Sequence, residues 1–134
     1  MSLNSTPFRN AIYSKLNDDA TLSGLITGVY DDVPEGTAYP YVVIGDDTTV
    51  NSGSKTIDGN EHTLNIHVWS RYRGKKEAVE IMERIYTLLH NVDISLSGAS
   101  LINIRQEFNT VLVDADGITR HGIIRFRAVV FDED

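Results

Sequence analysis

The sequence predicts an α+β fold: a mostly antiparallel sheet with helices packed on one face, in the order α-α-β-β-β-α-β-β. Three observations predict it. Residues 63–69, Thr-Leu-Asn-Ile-His-Val-Trp, alternate apolar and polar with the period of two expected of a half-buried strand. The next stretch repeats Ala78, Ile81, Met82, Ile85, Leu88, Leu89 and Val92 at three- and four-residue spacing, an amphipathic helix from Lys75 to Val92. A hairpin turn, Asp114-Ala115-Asp116-Gly117, then joins two long alternating segments near the C-terminus. A sheet with one apolar face and a helix able to cover it are adjacent in the chain, so Glu61–Val92 builds core rather than an active site.

The remaining elements follow in order. Ser5-Thr6-Pro7 reads as a helix start, with a hydroxyl cap and proline at the first helical position. Phe8, Ala11, Ile12 and Leu16 form the buried stripe of that helix. Asp19 can cap a short second helix through Leu22, Leu25 and Ile26, ended by Gly28. Gly28–Asp31 is a brief strand or extended piece, and Asp32–Pro40 a loop held out of the ladder by proline. Tyr41–Gly45 is apolar on both faces, which predicts a central or doubly covered strand. Asp46–Asn60 reads as polar strand ends around a mobile loop at 51–60. In the strand Leu101–Asp114, Ile102, Ile104, Phe108 and Leu112 are expected on one face, and Leu101, Asn103, Arg105 and Glu107 on the other. The return strand, Thr119–Phe131, turns Ile124, Phe126, Ala128 and Val130 inward and Arg125, Arg127, Val129 and Phe131 outward. Residues 1–6 are an N-terminal lead and 132–134 a frayed acidic end.

With 134 residues, 41% of them hydrophobic and 23% charged, the chain is expected to form one soluble globular domain, 1–134. No apolar run approaches the roughly 18 residues of a membrane span. Met1-Ser2-Leu3-Asn4 lacks the pattern of a signal peptide. The absence of cysteine excludes disulfides and thiolate metal sites. Net charge is −7, with eight acids against three bases in residues 1–60 and eleven against nine in 61–134. That balance disfavours general affinity for DNA phosphates and suits a surface past which DNA moves without adhering.

Catalytic and metal signatures do not emerge. His62 and His67 are an odd number of residues apart on one strand and face opposite ways, and extended Asp46 and Asp47 likewise diverge. His90 falls on the polar side of the long helix and His121 on an edge of the return strand, and no pair has zinc-protease spacing. Asp114-x-Asp116-Gly117 lacks the glycine and glutamate positions of a calcium loop. No cofactor is predicted. The basic run Arg71-Tyr72-Arg73-Gly74-Lys75-Lys76 is either a solvated turn or a contact for an acidic partner or phosphate. The second sheet face should collect Tyr41, Val43, His67, Trp69, Arg105, Glu107, Arg125, Arg127 and Phe131, residue types enriched at protein–protein interfaces.

Pro40-Tyr41-Val42-Val43-Ile44, then His62-x-Leu64-x-Ile66-x-Val68-Trp69-Ser70 and a helix led by Gly74-Lys75, resemble the tail-terminator and tail-completion proteins of long-tailed bacteriophages. The chain is most similar to the tail-to-head joining proteins of siphophages. The helix end Leu16-Asn17-Asp18-Asp19 and the closing hairpin, Thr110–Asp114 to Gly122–Arg127, agree with this over roughly Pro7 to Phe131. The resemblance implies a non-enzymatic virion protein, made in the host cytoplasm and placed at the head–tail interface. It would cap the tail tube, end its polymerisation and join the tail to the head connector. Its implied partners are the tail-tube protein, the head-completion or connector protein and further copies of itself in a six-membered ring through which DNA passes. A head-side adaptor of the same joint is the nearest alternative. More distant ones are a nucleic-acid module built on Arg71, Arg73, Lys75 and Lys76, and a small enzyme using His62, His67, Asp46 or Asp47. Residue type and expected exposure make Asn51, Ser52, Gly53, Ser54 and Lys55 of the loop, and Trp69, Arg71, Arg73, Arg105, Arg125 and Arg127, the candidate interface.

Overall fold

A computed structural model describes residues 3–132 as a five-stranded sheet with helices on one side. The elements are α1 (Ser5–Asn17), α2 (Ala20–Ser23), β1 (Val29–Tyr30), β2 (Tyr41–Asn51), β3 (Gly59–Ser70), α3 (Lys76–Leu89), β4 (Ala99–Val113) and β5 (Arg120–Asp132). Their order matches the expected α-α-β-β-β-α-β-β. The sheet runs β1-β2-β3-β5-β4, antiparallel except for the parallel β1–β2 pair. β3 is therefore the central strand. Its Leu64, Ile66 and Val68 and the Ile124, Phe126, Ala128 and Val130 of β5 are buried beneath Phe8, Ile12 and Leu16 of α1 and the apolar side of α3. Burying such a row removes roughly 1.5–3 kcal/mol of apolar exposure per large side chain. That is the physical reason the alternation read from sequence survives in three dimensions.

Several boundaries differ from expectation. α1 begins at Ser5, so Asn4 rather than a hydroxyl residue is the cap; it takes a left-handed conformation (φ 60°) and its amide donates to Asp132 Oδ1 at 2.6 Å. Pro7 is thus the third helical residue, still within the first turn, where no backbone donor is needed. Asp19 does cap α2, accepting from Leu22 N at 2.8 Å, but the helix stops at Ser23, with Leu25 and Ile26 packing on the core beyond it. Asp19 also receives two bonds from Arg84 of α3, at 2.8 and 2.9 Å, which pull its carboxyl down to about 2 and tie the two helices together. α3 ends at Leu89, earlier than Val92, because His90 turns extended and the chain hooks back onto β4. Asn91 N donates to Ile104 O at 2.8 Å, and His90 Nδ1 accepts from Gln106 N at 3.0 Å.

The polar stretch Asp46–Asn60 is more regular than expected. β2 and β3 pair as far as Asn51 and Asn60, leaving a tip of 52–58 closed by Ser54 N to Ile57 O and Ser52 N to Gly59 O. Tyr41–Gly45 lies between β1 and β3 but has helices on its inner side alone; Tyr41 contacts Tyr30 and Tyr39 instead. The hairpin turn is present, with Gly117 at φ 72° and Asp116 accepting from Ile118 N, Thr119 N and Thr119 Oγ1. Of the acidic end at 132–134, Asp132 is the last residue of β5, paired with Ala99, whereas Glu133 and Asp134 lie outside the described residues, as do Met1 and Ser2 of the lead.

The largest correction concerns β4. Two bulges, between Leu101 and Asn103 and between Gln106 and Phe108, each insert one residue and reset the alternation. Leu101, Ile104, Gln106, Asn109 and Val111 consequently sit opposite inward residues of β5, while Phe108 and Leu112 sit opposite Arg125 and His121 on the other face. Phe108 and Leu112 were expected beside Ile104; they are instead 44% and 50% exposed, and Ile102, at the first bulge, is 52% exposed.

Candidate functional site: the uncovered sheet face

Among the described residues all three helices pack on one side, leaving the opposite face of the sheet bare across four strands. Register defines its rows. Tyr41, Trp69, His121 and Leu112 form one row, and Val43, His67, Ile123 and Thr110 the next. Asn65, Arg125 and Phe108 follow, then Thr48, Thr63, Arg127 and Arg105. Most of the outward residues expected from sequence are therefore in place, with Glu107 displaced onto a bulge. Phe108, Leu112, His121 and Ile123 are additions. The last two follow from extending the alternation of Arg125 and Arg127 back by two and four residues; the first two depend on bulges that no local signal announces.

An aromatic stack organises one end of this face. Trp69 and His121 lie 3.8 Å apart at 9°, and His121 Nε2 is 2.7 Å from His67 Nδ1. The His67 ring has room because Gly45, beside it at the β2 bulge, has no Cβ; one built there would sit 2.5 Å from the imidazole. Burial pushes both histidines below their ordinary value, the neighbouring imidazole adding to the effect at His121, while Asp46 and Asp114 oppose it. At neutral pH the two rings thus share one hydrogen bond as donor and acceptor. Beside them opens a cleft of about 650 Å³ lined by Arg9, Asp31, Asp46, Asp47, His67, Trp69 and His121. Arg9 fills its wall, donating to Gly45 O at 2.7 Å, Ile44 O at 3.1 Å and Asp31 at 2.8 Å.

The arginines differ in their freedom. Arg125 is held by Asn65 Oδ1 at 3.0 Å and lies 5.1 Å over the Phe108 ring. Arg127 bridges Glu107 at 2.7 Å and Glu61 at 3.7 Å. Arg71 lies 4.7 Å over Tyr39 and donates to Thr119 Oγ1 at 3.2 Å, binding the basic turn to the 114–119 hairpin. Arg73 and Arg105 are exposed, and among the described residues their side chains make no hydrogen bond or ion pair. Asn51 ends β2, and Ser52, Gly53, Ser54 and Lys55 form the hairpin tip, at the opposite end of the sheet from Trp69.

The histidines expected on opposite faces are so placed. His62 is fully buried on the core side, stacked 4.9 Å from Phe8, with Thr49 Oγ1 at 3.3 Å and the Asp47 carboxylate at 3.9 Å. Its pKa is lowered, chiefly by burial. Among the described residues no group of three or more His, Cys, Asp or Glu side chains could hold a metal ion, and no helix is long and apolar enough to cross a membrane. The face combines an aromatic cluster, exposed apolar side chains and arginines, residue types enriched at protein–protein interfaces.

Comparison with known proteins identifies the family. Residues 10–131 match the family model described as tail completion protein gp17. The tail completion protein gp17 of Bacillus phage SPP1 is 28% identical over 128 residues, covering 96% of this chain and 95% of the relative. The solved structure of SPP1 gp17 superposes with a TM-score of 0.65 at 26% identity, over 99% of this chain and 93% of that one. A chain in the virion of a native gene transfer agent particle superposes with a TM-score of 0.89 at 28% identity, over 95% and 96%. The chain belongs to the gp17 family of phage tail completion proteins, structural components of the virion rather than enzymes.

Proposed function

We propose that this protein completes the tail by capping the tail tube, ending its polymerisation and joining it to the head connector as part of a ring. The observation that carries the reading is the bare sheet face: Trp69, His121, Ile123, Phe108 and Leu112 form an apolar band that no helix covers. A face of this composition is costly to leave in water and is satisfied by a partner surface. The hairpin tip 52–58 and the basic turn at Arg71 and Arg73 extend from opposite ends of the sheet, so one subunit can touch both the tube below and the connector above. Asn51, Ser52, Gly53, Ser54, Lys55, Trp69, Arg71, Arg73, Arg105, Arg125 and Arg127 are the proposed contact residues. The acidic balance of −7 suits a ring through which DNA moves without specific binding.

Deletion of the gene tests this. The expected result is filled heads without tails, together with unjoined tails of uncontrolled length. Unjoined tails of normal length would restrict the role to the head-side joint, and particles with joined tails of normal length would overturn it.

A further inference from the structure

We propose that neighbouring copies join by strand pairing, the free edge of β4 on one copy adding to the free edge of β2 on the next. The inference rests on the ring reading and assigns the surface that closes the ring.

A ring needs a head-to-tail interface made of two different patches on opposite sides of one subunit. The sheet supplies them. β4 is the last strand on one side, and on the other β1 covers only Val42 and Val43 of β2. Unpaired strand edges are templates for another chain, and proteins ordinarily guard them. Here the guards are local. Along β4, the isolated bridge of Leu96 with Ala99, the bulge at Leu101–Asn103 and the bonds from Asn91 and to His90 occupy the edge through Gln106. Along β2, Arg9 takes the carbonyls of Ile44 and Gly45 at the bulge. Past these points the guards stop. Among the described residues, Asn109–Val113 and Asp47–Asn51 make backbone hydrogen bonds only within the sheet. Phe108–Val113, Phe-Asn-Thr-Val-Leu-Val, carries no charge and no proline, the composition that an edge exposed to solvent avoids.

The facing of side chains narrows the register. Val50 and Thr48 point to the bare face of the sheet, opposite Glu61 and Thr63; Phe108 and Thr110 point to the same face, opposite Arg125 and Ile123. Antiparallel addition that keeps this face continuous sets Phe108 against Val50 and Thr110 against Thr48 of the next copy. The first pair covers two exposed apolar side chains, 44% and 61% exposed, and the second is a favourable cross-strand threonine pair. The added copy brings its α1 layer alongside α3, whose Val79 and Tyr86 are exposed next to the open edge.

The test uses the absence of cysteine from the sequence. Thr48→Cys and Thr110→Cys are introduced together. Within one chain, β2 and β4 are separated by two strands, about 14 Å at roughly 4.8 Å per spacing, beyond the ~7 Å reach of a disulfide. Any bond therefore links two copies. Particles carrying the double variant are oxidised and run on non-reducing gels, with each single variant and a Thr48→Cys/Val129→Cys pair as controls, and a lysine-reactive cross-linker is applied in parallel. The expected result is a covalent ladder ending at the ring number for the Thr48/Thr110 pair alone. Multimers with the lysine reagent but no disulfide ladder would overturn the edge assignment while leaving the ring intact. Monomers with both would overturn the ring and the inference with it. A second variant, Thr110→Asp, places a charge on the open edge. It should abolish particle assembly while the free protein keeps its thermal transition, and normal assembly with it would count against the proposal even if the cysteine pair failed to incorporate.

Discussion

On β3, Ile66 and His67 are consecutive, yet one is sealed beneath α1 and α3 and the other belongs to an open cleft. The same step separates Ile124 from Ile123 and Phe126 from Arg125 along β5. The inner face contains branched aliphatic residues packed against helices, where each side chain has many neighbours and little freedom. The outer face contains tryptophan, histidine, arginine and large apolar side chains that contact mainly one another. With the contact surface proposed above, stability and assembly fall to alternate residues of the same strands, and a substitution on either face should change one property with little effect on the other.

The inner face is the place for the largest effect. Ile66→Ala removes a fully buried side chain from the centre of the core and should cost about 2–5 kcal/mol, measured by urea unfolding of the purified protein. Asp19→Ala, which removes both the cap of α2 and the carboxylate bound by Arg84, should cost about 1–2 kcal/mol in the same measurement. Acid should act on both faces. His62, His67 and His121 all have depressed values in the folded state, so the unfolded chain binds more protons below its ordinary value of about 6.5. Stability present above that pH is lost as pH falls through the lower folded values. His121→Phe, which keeps a ring on Trp69 but removes one titrating group, should flatten the melting temperature between pH 7.5 and 5 relative to the parent. Leu112→Ser on the outer face should change unfolding free energy by no more than about 0.5 kcal/mol. Particle yield should nevertheless fall sharply, and an undiminished yield would remove Leu112 from the contact surface.

Much of this division could be read from the sequence because side chains alternate along a strand. Leu64, Ile66 and Val68 against His67 and Trp69, and Phe126 and Ala128 against Arg125 and Arg127, needed only a count of two. The α3 stripe needed only a count of three and four. β4 resisted because a bulge is an extra residue whose position depends on the partner strand; after Leu101 and again after Gln106 the count is displaced. A count of two alone therefore sets Phe108 and Leu112 on the face of Ile104. The stack of His67, Trp69 and His121 was hidden for a different one. His67 and His121 are 54 residues apart, and their meeting depends on β5 lying beside β3, a choice of strand order that alternation does not encode. Similarly, His90 reads as a solvent-facing helical residue, whereas the hook after α3 makes it a partner of β4.

Strand order also has a temporal consequence. β4 is translated before β5 but lies outside it, so until Arg120–Asp132 emerges the sheet is two unconnected pieces, β1-β2-β3 on one side and a lone β4 on the other. Every row of the bare face crosses β5, and neither His121, Ile123 nor Arg125 exists before it. A chain stopped short of this strand therefore has neither a closed core nor the outward rows of the sheet. On the contact surface proposed above, a subunit released early by the ribosome would lack the means to join the growing particle, for the same topological reason that leaves its core open.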